Sequence, residues 1–237
     1  MTPDGYKNLI DAANESIPFY TTHLETLRKL IDVQSKTTEY FVQVDPNIDL
    51  EEFNEIEQMN KFNALLTISL LDLMVVCKNM CLAKTDWERI HFIKHGYLVV
   101  YETINTYHKH SSELQRIIAT KYAAFRTSFE SINKDLKQFK KLHDYEKVIG
   151  LIRNKVAGHI DEDFVLYYDI IAKLDGEKVA LTISHFIQIL TQLQNLSEDL
   201  ASHANAVIQN KGELVNKSLM EKLKQIEELF AKFEKSS

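Results

Sequence analysis

Apolar residues recur every three or four positions along almost the whole chain, which is the spacing of amphipathic helices and not the alternation of half-buried strands. Leu24, Leu27, Ile31 and Tyr40/Phe41 form a first stripe. It predicts a helix that begins near Pro18, a residue suited to a first helical turn, and runs to about Val44. "DPNIDLEEF" reads as a turn and an acid-rich helix start, with the next helix reaching about Ala83. Its most apolar stretch, "LLTISLLDLMVVCKNMCL" (65–82), contains Asp72, Lys78 and Asn79, which suits a buried core helix better than a membrane span. Thr85 and Glu88 in "TDWE" have the form of a capping box and open a third helix, with a break expected near residues 108–112. A fourth helix carries Ile117, Ile118, Tyr122, Phe125, Phe129 and Ile132 to about Lys141, and "HDYEKVIGLIRNKVAGH" forms a shorter one. Residues 162–182 read either as a short helix or as a strand pair about "DGEK". A long helix then stops near Lys211-Gly212, and an amphipathic tail follows with Leu219, Leu223, Ile226, Leu229 and Phe233 on one stripe.

Composition strengthens the helical reading. The chain has six Gly and three Pro in 237 residues, and all three Pro (Pro3, Pro18, Pro46) fall in the first fifth, so the rest lacks the punctuation that sheets and hairpins need. There is no internal repeat and no low-complexity linker. The expected fold is all-α: an up-and-down bundle of long helices in one domain over 1–237, with 213–237 as a C-terminal helical extension packed on the bundle or on a partner. A net charge of −6 excludes a protein that coats nucleic acid by bulk electrostatics, so any phosphate contact must be local. Cys77 and Cys81, four apart in an apolar run, read as small buried hydrophobes of a reducing compartment. The polar N-terminus has no signal-peptide pattern, and the expectation is a cytoplasmic protein that does not engage a membrane. No Gly-rich phosphate loop, Walker-type lysine or Gly-x-Ser-x-Gly elbow occurs, so dinucleotide enzymes and acyl hydrolases have no support and no cofactor is expected.

The candidate chemistry lies in "LIRNKVAGHID" (151–161), where Arg153, Asn154 and His159 fall within seven residues. From the abundances of the three residue types, Arg-Asn with His at this spacing is expected about 0.01 times in such a chain, which singles the segment out. The bland reading stays open beside it. Basic residues near a helix C-terminus suit the dipole, Gly158 is a natural stop, and His159 can cap carbonyls. Asp161 can then pair with Arg153 or cap the next helix.

The pattern RNxxxxH, with an apolar residue before it and an acid after it, resembles the hallmark motif of the HEPN (higher eukaryotes and prokaryotes nucleotide-binding) superfamily. That resemblance implies a compact helical bundle and, in many members, a metal-independent ribonuclease of toxin or phage-defence type. It assigns catalysis to Arg153, Asn154 and His159. The residue types suit the reaction: His159 titrates near neutrality and can act as acid or base. Arg153 offers a permanent forked charge to phosphate oxygens, and Asn154 can orient the phosphate or the imidazole. On a straight α-helix, six residues turn through about 240° and rise about 9 Å, so Arg153 and His159 cannot meet on one phosphate. Either Gly158 breaks the helix, or two subunits pool their motifs across a two-fold axis. HEPN ribonucleases commonly do the latter, so the resemblance implies a homodimer through the Arg153–His159 helix, with RNA or a nucleotide as ligand. Upstream, Lys134, Lys137 and Lys141 share one helical face. With Lys147 and Lys155 they are candidates to guide a phosphate backbone, or else a solvated face. A non-catalytic helical module that binds a nucleotide or a protein partner is the alternative function, favoured by the acidic charge, the "DED" cluster (161–163) and the amphipathic tail.

Other constellations are weaker. Glu88, His91 and His95 at i, i+3 and i+7 make half a metal site, but the chain lacks a second Glu-x-x-His, and no metal is expected. His185 and His203 lie 18 residues, about 27 Å, apart along one predicted helix and cannot share a ligand. Tyr97, Tyr101, Tyr107 and Tyr122 have helical spacing and read as core or interface packing.

Overall fold

Three long helices make the centre of the molecule, and the others are laid against them. The computed structural model describes the backbone of residues 3–44, 46, 49–158 and 162–234, and the side chains of these except 3, 4, 44 and most of 207–234. The fold is an all-α helical bundle, without a strand among the described residues. In chain order come α1 (Pro3–Val44), α2 (Glu51–Leu82), α3 (Asp86–Thr120), a 3-10 turn (Ala123–Phe125) and α4 (Arg126–Leu142). The helix 145–157, which carries the Arg153 segment, precedes α5 (Phe164–Ile171) and α6 (Gly176–Glu234).

α2 is sandwiched by α1, α3 and α6, while α4 lies on α6 and the 145–157 helix lies on α3. The core follows the apolar spacing of the sequence. Phe62, Leu66, Leu70 and Leu73 of α2 meet Ile93, Tyr97, Val100 and Ile104 of α3 and Ile183, Phe186 and Leu190 of α6, all buried. At Gly96, α3 comes close to its neighbours: a Cβ there would lie 2.6 Å from Cδ1 of Ile183 and 3.1 Å from Cγ1 of Val76. α2 is long and apolar enough to cross a membrane by length and composition, and it packs inside the bundle on three neighbours. Cys77 is buried there, and burial pushes its thiol up to about 12.

Several boundaries differ from those expected. α1 begins at Pro3, so Pro18 sits inside a helix. The carbonyls beside it are held by back-bonding threonines: Thr21 donates to Ile17 O at 2.8 Å and Thr22 to Pro18 O at 3.1 Å. No break falls at 108–112, because α3 keeps an unbroken core face through Tyr107, Leu114 and Ile117. The break comes at Lys121–Phe125, where Lys121 and Arg116 reach the buried Glu55 carboxylate at 2.8 and 3.0 Å and fix the end of α3 against α2. The TDWE capping box forms with both of its bonds present. Within 162–182 the helical alternative is the one adopted. Asp163 caps α5 through Leu166 N at 3.0 Å, and Asp175 caps α6 through Glu177 N at 2.8 Å, so the "DGEK" turn is a helix start. α6 continues through Lys211-Gly212 to Glu234 as one helix, since a lone Gly costs about 1 kcal/mol against Ala and does not end a helix by itself.

Candidate functional site

Asp144 makes the joint between α4 and the Arg153 helix. Its φ of 46° is the only positive value at a non-glycine residue among those described. Beyond it, Tyr145–Gly150 and Arg153–Ala157 are π-helical, a widened winding that recurs at functional sites. Ile149, Ile152 and Val156 are buried in the core, which turns Arg153 towards α3. Gly158 closes the last π turn, its N–H donating to Arg153 O at 2.9 Å. A Cβ on Gly158 would sit 2.9 Å from that same oxygen, so the close approach requires glycine. With φ −78° and ψ −27°, Gly158 remains right-handed helical and does not break the winding through a left-handed turn. His159 and Asp161 lie outside the described residues.

Arg153 is gripped from three sides. Its Nε and Nη2 both donate to Oε1 of Glu102 at 2.9 Å, and Nη1 donates to Oδ1 of Asn154 at 3.0 Å. Its guanidinium lies over the Tyr101 ring, 5.2 Å from the centroid. Tyr101 stacks in parallel on Tyr145 at 5.5 Å, and the ammonium of Lys140 covers the Tyr145 ring at 4.6 Å. The result is a column of cation, two rings and cation, which holds Arg153 by its face as well as by its edge. Burial, followed by the neighbouring Tyr101, Glu146 and Glu102, pushes the Tyr145 hydroxyl well above its ordinary value, and Arg153 opposes the shift. Tyr145 therefore stays neutral and does not compete for the Arg153 charge. The Arg153–Glu102 pair is partly open to solvent, with side-chain exposures of 39% and 50%, so an incoming anion can exchange with the carboxylate.

Of the residues singled out by sequence, the structure brings Arg153 and Asn154 together. Lys134, Lys137 and Lys141 are exposed on α4, opposite the buried Phe129, Ile132, Leu136 and Phe139. Lys147 instead lines a cavity of about 340 Å³ between its helix and α5, along with Lys173, Lys178, Asp169 and Asp175. Lys155 is half-buried. Tyr101, Glu102, Lys140 and Tyr145 complete the surroundings of Arg153. Only the helical register of the tyrosines and the lysine run hinted at them, and Glu102 lies 51 positions from Arg153.

Glu102 also edges a groove of about 290 Å³ between α2 and α3, with Leu65, Ile68, His95 and Leu98. On the other side of the Arg153 segment, α5 exposes Phe164, Val165 and Tyr168. Glu88 is committed to its capping box. It accepts from Lys84 N at 2.7 Å and Thr85 N at 2.9 Å, and the backbone donors of Thr85 and Lys84 hold its carboxyl below the usual range. His91 and His95 are exposed, and among the described residues no three His, Cys, Asp or Glu side chains gather as a metal-ligand set. His185 and His203 face different neighbours on α6: His143 in the first case, Tyr122 and Phe125 in the second. Comparison of the chain with protein-family models, with curated proteins and with solved structures finds no match.

Proposed function

We propose that this chain is a HEPN-like RNA-acting protein, a metal-independent endoribonuclease in which Arg153 takes a phosphate and His159 moves the protons. The observation that carries the reading is the preorganised Arg153: its planar fork is oriented by Tyr101 and Glu102, its neighbour Asn154 is on one Nη, and it lies at the solvent edge of a π-helical segment. In the reaction, a ring nitrogen of one His159 accepts the 2′-hydroxyl proton as that oxygen attacks the adjacent phosphorus. The P–O5′ bond breaks, a protonated imidazole returns a proton to the 5′-oxygen, and a 2′,3′-cyclic phosphate remains. Arg153 and Asn154 offset the charge that gathers on the non-bridging oxygens. The exposed apolar residues of α5 and of the α2–α3 groove flank the segment and suit a homodimer in which two such segments face one another.

The test is incubation of the purified chain with single-stranded RNA in excess EDTA. Fragments with cyclic phosphate ends are expected, and His159→Ala should reduce the rate about 10²–10⁴-fold, the usual worth of general acid–base catalysis. Unchanged cleavage in His159→Ala and Arg153→Ala overturns the assigned roles. The second reading is a non-catalytic helical module that binds a nucleotide or a protein, and the Glu102–Arg153 pair favours it because the cation is already neutralised. RNA or nucleotide binding without any cleavage selects that reading.

A further inference from the structure

Away from Arg153, a line of polar side chains crosses the seam between α4 and α6. His143, the residue after α4, has both ring nitrogens engaged: Nδ1 lies 2.9 Å from Oγ1 of Thr182, and Nε2 lies 3.1 Å from Nδ1 of His185. Thr182 is 1% exposed and donates its own hydrogen to Lys178 O at 2.9 Å, so it can only accept from His143. This settles the protons: Nδ1 of His143 carries a hydrogen, and Nε2 receives one from Nδ1 of His185. The ring centroids are 5.3 Å apart, close to the nitrogen separation plus the two ring radii, so the imidazoles meet head-on. The two facing nitrogens point at each other and do not converge on a third point, which suits a hydrogen bond and not a bound metal ion. Phe139, fully buried, packs on His143 at 4.6 Å and on His185 at 5.4 Å and completes the joint.

The next residue is Asp144, the left-handed hinge into the helix that carries Arg153. We propose that the His143–His185 pair is a proton-operated clamp: the neutral or singly protonated pair fastens the end of α4 to α6, and a second proton, on Nε2 of His143, unfastens the hinge at Asp144 and loosens the helix 145–157. One proton on the outer nitrogen of His185 leaves both hydrogen bonds intact. A second proton, on Nε2 of His143, sets N–H against N–H and breaks the central one. The groups around the joint do not welcome that charge. Burial, then His185, then Lys178 lower the His143 value, and Tyr97 on α3 approaches through Thr182. Asp144 adjoins it in the chain. A histidine held neutral in the fold costs nothing above its free value near 6.5, and the joint weakens as pH falls below that.

Ring NMR signals of both histidines, followed in the full chain from pH 8 to pH 5, test the clamp alongside amide protection of residues 145–157 corrected for intrinsic exchange. His143 is expected to titrate below the ordinary histidine range. Protection of 145–157 should fall about fivefold or more over the same interval, which is the worth of one hydrogen bond. In His143→Gln, whose side chain can still donate and accept without titrating, the step should vanish. In His185→Gln, whose amide can offer its nitrogen to a neutral His143 and its oxygen to a protonated one, the step should also vanish, so this variant decides the matter if His143→Gln does not fold. A wild-type profile without a step, or a step that persists in His185→Gln, overturns the clamp, whatever the outcome with RNA.

Discussion

At the scale of single residues, Arg153 is held by an acid that a phosphate would have to displace under the proposed function. Glu102 takes both Nε and Nη2, while Tyr101 supports the guanidinium face and needs no exchange. Partly exposed ion pairs contribute up to about 1 kcal/mol, so Glu102→Gln should change the thermal midpoint little. Titration of that variant with pyrophosphate, followed at the Arg153 Nε–H signal, should show affinity up to about fivefold higher than wild type. Equal or weaker affinity would mean that Glu102 orients Arg153 without competing for it. Arg153 and Asn154 stood out in the sequence because they adjoin in the chain and because their side chains suit a phosphate. Glu102 was not, because an acid on another helix becomes a partner only when the helices pack.

At the scale of elements, residue spacing located the helices well and their ends less well. The buried faces of α2 and α3 follow the three-to-four spacing of apolar residues, and Thr85–Glu88 opens α3 as its side chains dictate. Pro18 and the 108–112 segment misled because a tertiary contact outweighs a local preference: α1 lies along α2, and α3 is continued by its buried face. Gly96 shows the same dependence on packing. Gly96→Ala should destabilise the bundle by about 1–3 kcal/mol through overpacking, less about 1 kcal/mol gained in helix propensity. Ile183→Val removes the Cδ1 that the new methyl would strike, so the double variant should recover most of the loss. Urea midpoints of the two single variants and the double variant measure that coupling, and additive losses would show that the strain lies elsewhere.

At the scale of the molecule, the proposed dimer calls for apolar surface beside the Arg153 segment, and α5 presents it: Phe164 is 70% exposed and Tyr168 54%. Replacing both with Ser should leave the thermal midpoint of the chain nearly unchanged and shift its light-scattering mass from dimer to monomer. A dimer that survives the change would place its interface on another face. By itself, the sequence determined the fold class and the buried faces of the long helices, because each follows from spacing along one helix. The tertiary structure alone decided where α3 breaks, that α6 runs on through Gly212, that Arg153 is bound to Glu102 and Tyr101, and that His143 meets His185. These depend on which helix faces are brought together, and that is set by the summed burial of the whole bundle, to which no short stretch of sequence gives access.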